Sequence, residues 1–255
     1  MAGSGDFSGR VAFVTAAAGQ GLGQAIARRF AEGGAAVAVT DVHERRTREV
    51  SEAIAKDTGA RVMGIPFDVG DWRAAERVVA EAVEALGPID ILVNNAAVNV
   101  VGSIVDYDPE TFERLIGANL TTPWYLCQLV FQGMCDAGGG SILNISSIAG
   151  MTGNSRSEPP YAAGKAGLNE ITRGLALAGG PHNVRANSVV MGVVTGTRFI
   201  DELNPQIAEA ELPLVPLGRH SSVEEIVDTV EFLASDRARF ITGEIVNVSG
   251  GRLLR

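Results

Sequence analysis

The sequence predicts an α/β protein, a doubly wound parallel sheet of about seven strands with helices on both faces. Three observations carry this. Short β-prone apolar runs alternate with stretches of helical spacing along the whole chain. The runs are predominantly apolar on both faces, as strands covered on each side are. No internal repeat, low-complexity tract or linker divides the 255 residues, so 1–255 reads as a single domain.

The strand runs are Val11 to Thr15, Ala36 to Thr40, Val62 to Pro66, Ile89 to Val93, Ser141 to Ile145, Val184 to Val190 and Glu244 to Val248. Between them, Leu22 to Glu32 and Trp72 to Leu86 have helical spacing. The second carries Val78, Val79, Ala82, Val83 and Leu86 along one face. Two longer helices are predicted over 109–137 and 159–179, entered through Pro109 and through Pro159 and Pro160, and left through glycines. The irregular stretch 192–217, with Pro205, Pro213 and Pro216, predicts one short helix around 202–211. As an excursion between strands, it is a candidate substrate lid.

Composition excludes several classes. A net charge of -9 disfavours nucleic acid and anionic membranes as partners. The only dense basic cluster, Arg45, Arg46 and Arg48, is interleaved with Glu44 and Glu49 and reads as a solvated helix face. The absence of a long apolar run or an apolar leader predicts a cytoplasmic location. Cys127 and Cys135 lie about 12 Å apart along one helix, too far to be bridged. With His43, His182 and His220 isolated, no metal site is expected.

The first strand leads into Thr15-Ala-Ala-Ala-Gly19-Gln20-Gly21-Leu22-Gly23, which opens a helix. Glycines there let the backbone approach a pyrophosphate, and the first helical turn offers it free N–H groups and a positive dipole end. Gly19, Gln20, Gly21 and Leu22 are therefore candidate dinucleotide ligands. Asp41, ending the second strand, can accept hydrogen bonds from ribose hydroxyls and would repel a 2′-phosphate, which favours NAD over NADP. Arg45 and Arg46 would shift that balance by curling back toward the ribose. Asp68 and Val69 end the third strand and can meet the adenine, and Asn95 and Ala96 end the fourth and can line the ribose side.

Ser147 ends the fifth strand, and Tyr161-Ala-Ala-Gly-Lys165 starts the next long helix, so Tyr161 and Lys165 share one helix face. Hydride transfer between an alcohol and a nicotinamide needs a partner for the hydroxyl proton. A free phenol, with a pKa of about 10, is a poor base at neutral pH. A neighbouring ammonium and a positive nicotinamide ring are expected to lower that pKa.

At these residues the chain resembles the short-chain dehydrogenase/reductase family, from about Gly9 to Gly251. Tyr161 and Lys165 match its Tyr-x-x-x-Lys, Ser147 its serine, Asn119 its helix asparagine, and Asn94-Asn-Ala-Ala97 its usual Asn-Asn-Ala-Gly. The resemblance implies a single-domain Rossmann fold that both binds the dinucleotide and catalyses hydride transfer between a nicotinamide cofactor and a secondary alcohol or ketone. It also implies a homotetramer contacting through the two long helices and the last strand. By resemblance, Tyr161 is the general acid/base, Ser147 hydrogen-bonds the substrate oxygen, and Lys165 holds the nicotinamide ribose. Asn119 supports a water that relays protons to Lys165. Gly192, Val194, Thr195 and Thr197 follow the sixth strand and border the nicotinamide.

The chain also departs from the family pattern. Ala16 stands where the first glycine of the turn is usual, and Gly21 comes one residue late, so Gly19 is expected to supply the permissive backbone. Ala97 replaces a glycine, and Met191 stands before Gly192 where proline is common. The Ser147–Tyr161 interval is one residue longer, making 152–158 either a substrate-facing wall, with Arg156 able to bind an anion, or a solvent-exposed loop. Apolar residues such as Val98, Val100, Met151, Met191, Val193 and Leu212 predict a moderately hydrophobic substrate. These departures also admit a second reading, a catalytically silent dinucleotide-binding sensor or scaffold.

Overall fold

The computed structural model describes residues 6–152, 158–201 and 205–254. All seven predicted runs form strands: β1 (Val11–Val14), β2 (Ala36–Asp41), β3 (Val62–Pro66), β4 (Ile91–Asn94), β5 (Gly140–Ser147), β6 (Val184–Met191) and β7 (Ile245–Val248). They pair in parallel in the order β3-β2-β1-β4-β5-β6-β7. Strand order reverses between β1 and β4, which opens a crevice at their carboxyl ends.

Side chains alternate across the sheet into two apolar layers. Val14, Val37, Val39 and Ile91 meet α1 (Leu22–Glu32), α2 (Glu44–Thr58) and α10 (Val223–Ala234) through Ile26, Phe30, Ile54 and Val230. Phe13, Ala38, Leu92 and Ile142 meet α3 (Ala75–Leu86), α5 (Thr122–Asp136) and α7 (Pro159–Gly179) through Val78, Leu126, Val130 and Ala176. This double burial is why the strands lack a polar alternation. Helix α10 was not singled out by apolar periodicity, although Ser222-Val-Glu-Glu225 spells its capping box, which the structure forms in both directions.

The predicted helix 109–137 is interrupted. Helix α4 (Pro109–Ile116) passes into a π-helical turn over Gly117–Thr121 before α5 begins, and Asn119 lies inside that turn. Cys127 and Cys135 both lie on α5 and are free. After α6 (Ala149–Thr152), residues 153–157 lie outside the described part, and with them the sequence expectation for Arg156. In the excursion, α8 (Arg198–Asp201) and α9 (Pro205–Glu211) are short. The excursion is tied down at both ends, by the Val194–Ser221 bridge and by a 2.6 Å ion pair from Arg252 to Glu211. Among the described residues no helix is long and apolar enough to cross a membrane.

Candidate active site

The turn after β1 differs from its expected geometry. Gly19 is not the residue in the left-handed region; Ala16 takes φ 51° itself, and Gly21 takes φ 152° as the residue before α1. An L-residue held left-handed costs about 1–2 kcal/mol, and the surroundings hold Ala16 there. The Asn95 side-chain amide donates to the carbonyls of Thr15 (2.9 Å) and Ala16 (3.2 Å), and the Thr15 hydroxyl accepts from the N–H groups of Asn95 and Ala96. Gly23 closes the arrangement, since a Cβ there would run into the Ala16 carbonyl oxygen. Ala16→Gly should therefore raise stability by about 0.5–1 kcal/mol, read as a higher denaturant midpoint at unchanged slope. An unchanged or lowered midpoint would mean that Ala16 is not strained.

The start of α1 suits an anion. Its cap residue Gly21 makes no side-chain capping bond, and its first turn has no acidic residue, so its N–H groups and dipole meet no opposing charge there. An open cleft of about 490 Å3 lies against Gln20, Gly21, Thr195 and Gly196. Thr197 stands over Gly21, its Cγ2 3.8 Å from where a Cβ would be, and its hydroxyl donates to the Val194 carbonyl. Thr195 pairs with the Ser221 carbonyl, and the Gly192 N–H reaches Val248. The excursion thus brings its residues onto the glycine turn.

Asp41 is buried beside the turn. Its carboxylate accepts from the N–H groups of Ala18 (3.3 Å) and His43 (3.2 Å), and Arg46 approaches to 3.7 Å. Burial raises its pKa; the Ala18 hydrogen bond and Arg46 oppose that. Of the two arginines weighed from sequence, Arg46 curls back, while Arg45 pairs with Glu49. Asp68 is exposed and accepts from the Gly70 N–H, while the Val69 carbonyl accepts the Thr122 hydroxyl. Asn95 and Ala96 hold the turn through Thr15, a use not foreseen from sequence.

At the other end of the crevice, Ser147 closes β5 near the Tyr161 phenol, and its hydroxyl accepts from the Ala149 N–H at 3.1 Å. Ser146 is buried beneath α7, which separates the two serines by environment. Lys165 is 2% exposed, donates to the Ile145 carbonyl at 2.8 Å, and lies 5.7 Å from the centre of the Tyr161 ring. Burial pulls its pKa down to about 8. Burial also pushes the Tyr161 phenol up to about 12, with the Glu158 charge adding to the rise and the Ser147 hydrogen bond opposing it. In the protein alone desolvation dominates, and the Lys165 ammonium is directed to the Ile145 carbonyl.

Asn119 is fully buried. It donates to the carbonyls of Val98 (2.6 Å) and Leu115 (2.9 Å) and accepts from the Val98 N–H (3.3 Å). Gly164 lets α7 pass against it, since a Cβ there would come 2.9 Å from the Asn119 Cβ. The Asn119 side chain therefore anchors the segment after β4 next to Lys165. Thr15, Gly23, Gly164 and Asn99 are not among the residues the sequence singled out, and Glu158 entered only within the wall 152–158. Only close backbone approach and long-range hydrogen bonds single them out, although Gly23 and Gly164 stand inside motifs already noted.

Comparison with known proteins agrees with this arrangement. A family profile described as Enoyl-(Acyl carrier protein) reductase matches residues 16–252. Trans-4-hydroxycyclohexanecarboxylate dehydrogenase of Sinomonas cyclohexanicum is 35% identical, over 95% of this chain and 92% of its own. L-xylulose reductase of Bos taurus is 35% identical, over 96% and 97%. A solved structure of a blue fluorescent protein from a metagenomic library, in complex with NADPH, superposes with TM-score 0.87 at 31% identity, over 98% of this chain and 100% of that one. The crevice, the Ser147–Tyr161–Lys165 cluster and these full-length matches lead to one assignment: the chain belongs to the short-chain dehydrogenase/reductase family, whose members are oxidoreductases that bind a nicotinamide cofactor.

Proposed function

We propose that this protein is an NAD-preferring dehydrogenase or reductase that interconverts a secondary alcohol and its ketone, with Tyr161 as general acid/base. The placement of Tyr161 near Ser147, with the Lys165 ammonium 5.7 Å from its ring on the same helix face, is the observation that carries this reading. The bound cofactor supplies hydride transfer and, when oxidised, a positive ring that favours the phenolate.

The protein's residues do the rest. The backbone of Gly19, Gln20, Gly21 and Leu22 would hold the pyrophosphate, Asp41 the adenosine ribose, and Asp68 and Val69 the adenine. Asn95 and Ala96 hold the turn in place, while Gly192, Val194, Thr195 and Thr197 border the nicotinamide. Ser147 orients the substrate oxygen toward the phenol. Tyr161 gives that oxygen a proton during reduction and takes it back during oxidation, and Lys165 holds the nicotinamide ribose. Asn119 positions Val98, with the proton relay near Lys165 as its proposed service.

The reading is tested by following reduced-nicotinamide absorbance over a panel of secondary alcohols and ketones. Calorimetric cofactor binding without turnover anywhere on the panel would favour a silent sensor instead. Asp41 supports NAD, since its carboxylate repels a 2′-phosphate. Arg46, 3.7 Å away, supports the second reading, use of NADP. We expect the dissociation constant for NAD to be at least about tenfold lower, a difference of 1.4 kcal/mol. Tighter binding of NADP would reverse the assignment of Asp41.

A homotetramer is part of the same proposal. Phe112 on α4, Trp124 on α5, Leu177 on α7 and Phe240 before β7 all stand exposed, and such apolar surface suits subunit contacts. Sedimentation should give four chains per particle; a monomer at micromolar concentration would refute this.

A further inference from the structure

Tyr161 and Lys165 share their stripe of α7 with a third polar residue that the hydride-transfer scheme does not use. Asn169 follows Lys165 by four positions, as Lys165 follows Tyr161, and it is 3% exposed. Both ends of its amide are engaged. Oδ1 accepts the Ser188 hydroxyl of β6 at 2.8 Å, and Nδ2 donates to the Met151 thioether of α6 at 3.3 Å. The same Ser188 hydroxyl lies 3.2 Å from the Asn144 carbonyl of β5. Asn169 thus joins the two central strands to α6. Met151 stood among the apolar residues expected around a substrate, and its sulfur is turned to α7.

Helix α6 has four residues, too few to keep a place of its own, so contacts from outside seat it. The Ile148 N–H donates to the Met191 carbonyl at 3.0 Å. Gly150 lies so close to α7 that a Cβ there would come 2.8 Å from the Ala166 nitrogen and 2.9 Å from the Lys165 Cβ. Met151 is held by Asn169. At the start of α6 the Ala149 N–H donates to the Ser147 hydroxyl at 3.1 Å, so the seating of α6 sets where that hydroxyl points. Lys165 ties the same corner from α7, with its ammonium on the Ile145 carbonyl and 5.7 Å from the centre of the Tyr161 ring. We propose that Asn169 and Met151 are positioning residues for the reaction: their amide–thioether bond locks α6 onto α7 and so fixes the Ser147 hydroxyl relative to Tyr161. They act through Ser147. A displacement of about 1 Å at a reacting group can cost about 100-fold in rate, so a bond this weak can still govern turnover. This deepens the assignment of Ser147 and Tyr161 as the chemical pair and rests on it.

The test compares an acceptor removed with an acceptor kept. Met151→Leu keeps the volume and loses the sulfur, Met151→Gln keeps the length and offers Oε1 to the Asn169 amide, and Asn169→Leu removes the donor. Turnover is followed on the secondary alcohol of the panel that the parent oxidises fastest. Met151→Leu and Asn169→Leu should each lower kcat about tenfold, with KM and the NAD dissociation constant within about twofold of the parent. Met151→Gln should keep at least about a third of the parent kcat. The double Leu variant should lie within about threefold of either single one, since the two residues act as one unit. Amide exchange at Ala149 in the NAD-loaded protein should quicken in the Leu variants and stay near the parent rate in Met151→Gln. Should Asn169→Leu not fold, the two variants of the half-buried Met151 decide alone. An unchanged kcat in Met151→Leu, an equal loss in Met151→Gln, or a rise in KM and in the NAD dissociation constant with kcat intact would overturn the proposal. Parent-like turnover in Tyr161→Phe would instead overturn the acid/base assignment, and exchange at Ala149 would still decide whether Asn169 and Met151 hold α6.

Discussion

Tyr161→Phe should lower kcat roughly 100- to 10,000-fold in both directions, the usual contribution of a positioned acid/base, while the cofactor dissociation constant changes little. The fold should survive, because the substitution removes only a hydroxyl, at about 1 kcal/mol. The pH dependence has a definite sign. Burial and Glu158 hold the phenol at about 12 in the protein alone, so it begins protonated and suited to donate during ketone reduction. Alcohol oxidation needs the phenolate, so its rate should climb with pH in the parent protein and lose that climb in the variant. Activity within about tenfold of the parent on a confirmed substrate would remove Tyr161 from the mechanism.

Lys165→Met should abolish useful turnover and, at neutral pH, make the protein more stable by roughly 2 kcal/mol. The ammonium is 2% exposed, and its pKa falls from 10.5 to about 8, equivalent to roughly 3 kcal/mol of unfavourable burial. Losing the hydrogen bond to Ile145 returns about 1 kcal/mol of that. Below about pH 8 both folded and unfolded chains are protonated here, and the burial cost is fully present. Between about 8 and 10.5 the unfolded chain binds the proton and the folded one does not, so the parent gains stability as pH rises. Cys127, whose buried thiol is pushed up to about 12, gives an opposite slope above about pH 9, but it does so in both proteins and cancels in their difference. The advantage of the variant should thus shrink across that window and reverse. A difference independent of pH would show that Lys165 is not held against its charge. A residue proposed to bind the cofactor would then cost stability in the folded chain.

Much of the molecule was legible along the chain. All seven strand runs formed strands, and the Tyr161–Lys165 spacing put both side chains on one face of α7. Ser147, at the end of β5, and Tyr161, at the start of α7, lie at the same end of the crevice. The break in the helix 109–137 was hidden, because the π-turn that holds Asn119 is tied to Val98 on another segment. The turn after β1 was misread in one residue: Gly19 was the expected permissive position, yet Asn95 and Gly23 hold Ala16 left-handed.

The sequence by itself determined the sheet, its two covered faces and the order of the chemical groups, because apolar period, capping residues and four-residue spacings are local properties of the chain. Tertiary structure alone decided the desolvation of Tyr161 and Lys165, the engagement of Asn95 and Asn119, and the meeting of Asn99 with Glu158. Those depend on desolvation and on hydrogen bonds between segments far apart in the chain, and neither quantity exists until the strands have brought their carboxyl ends together.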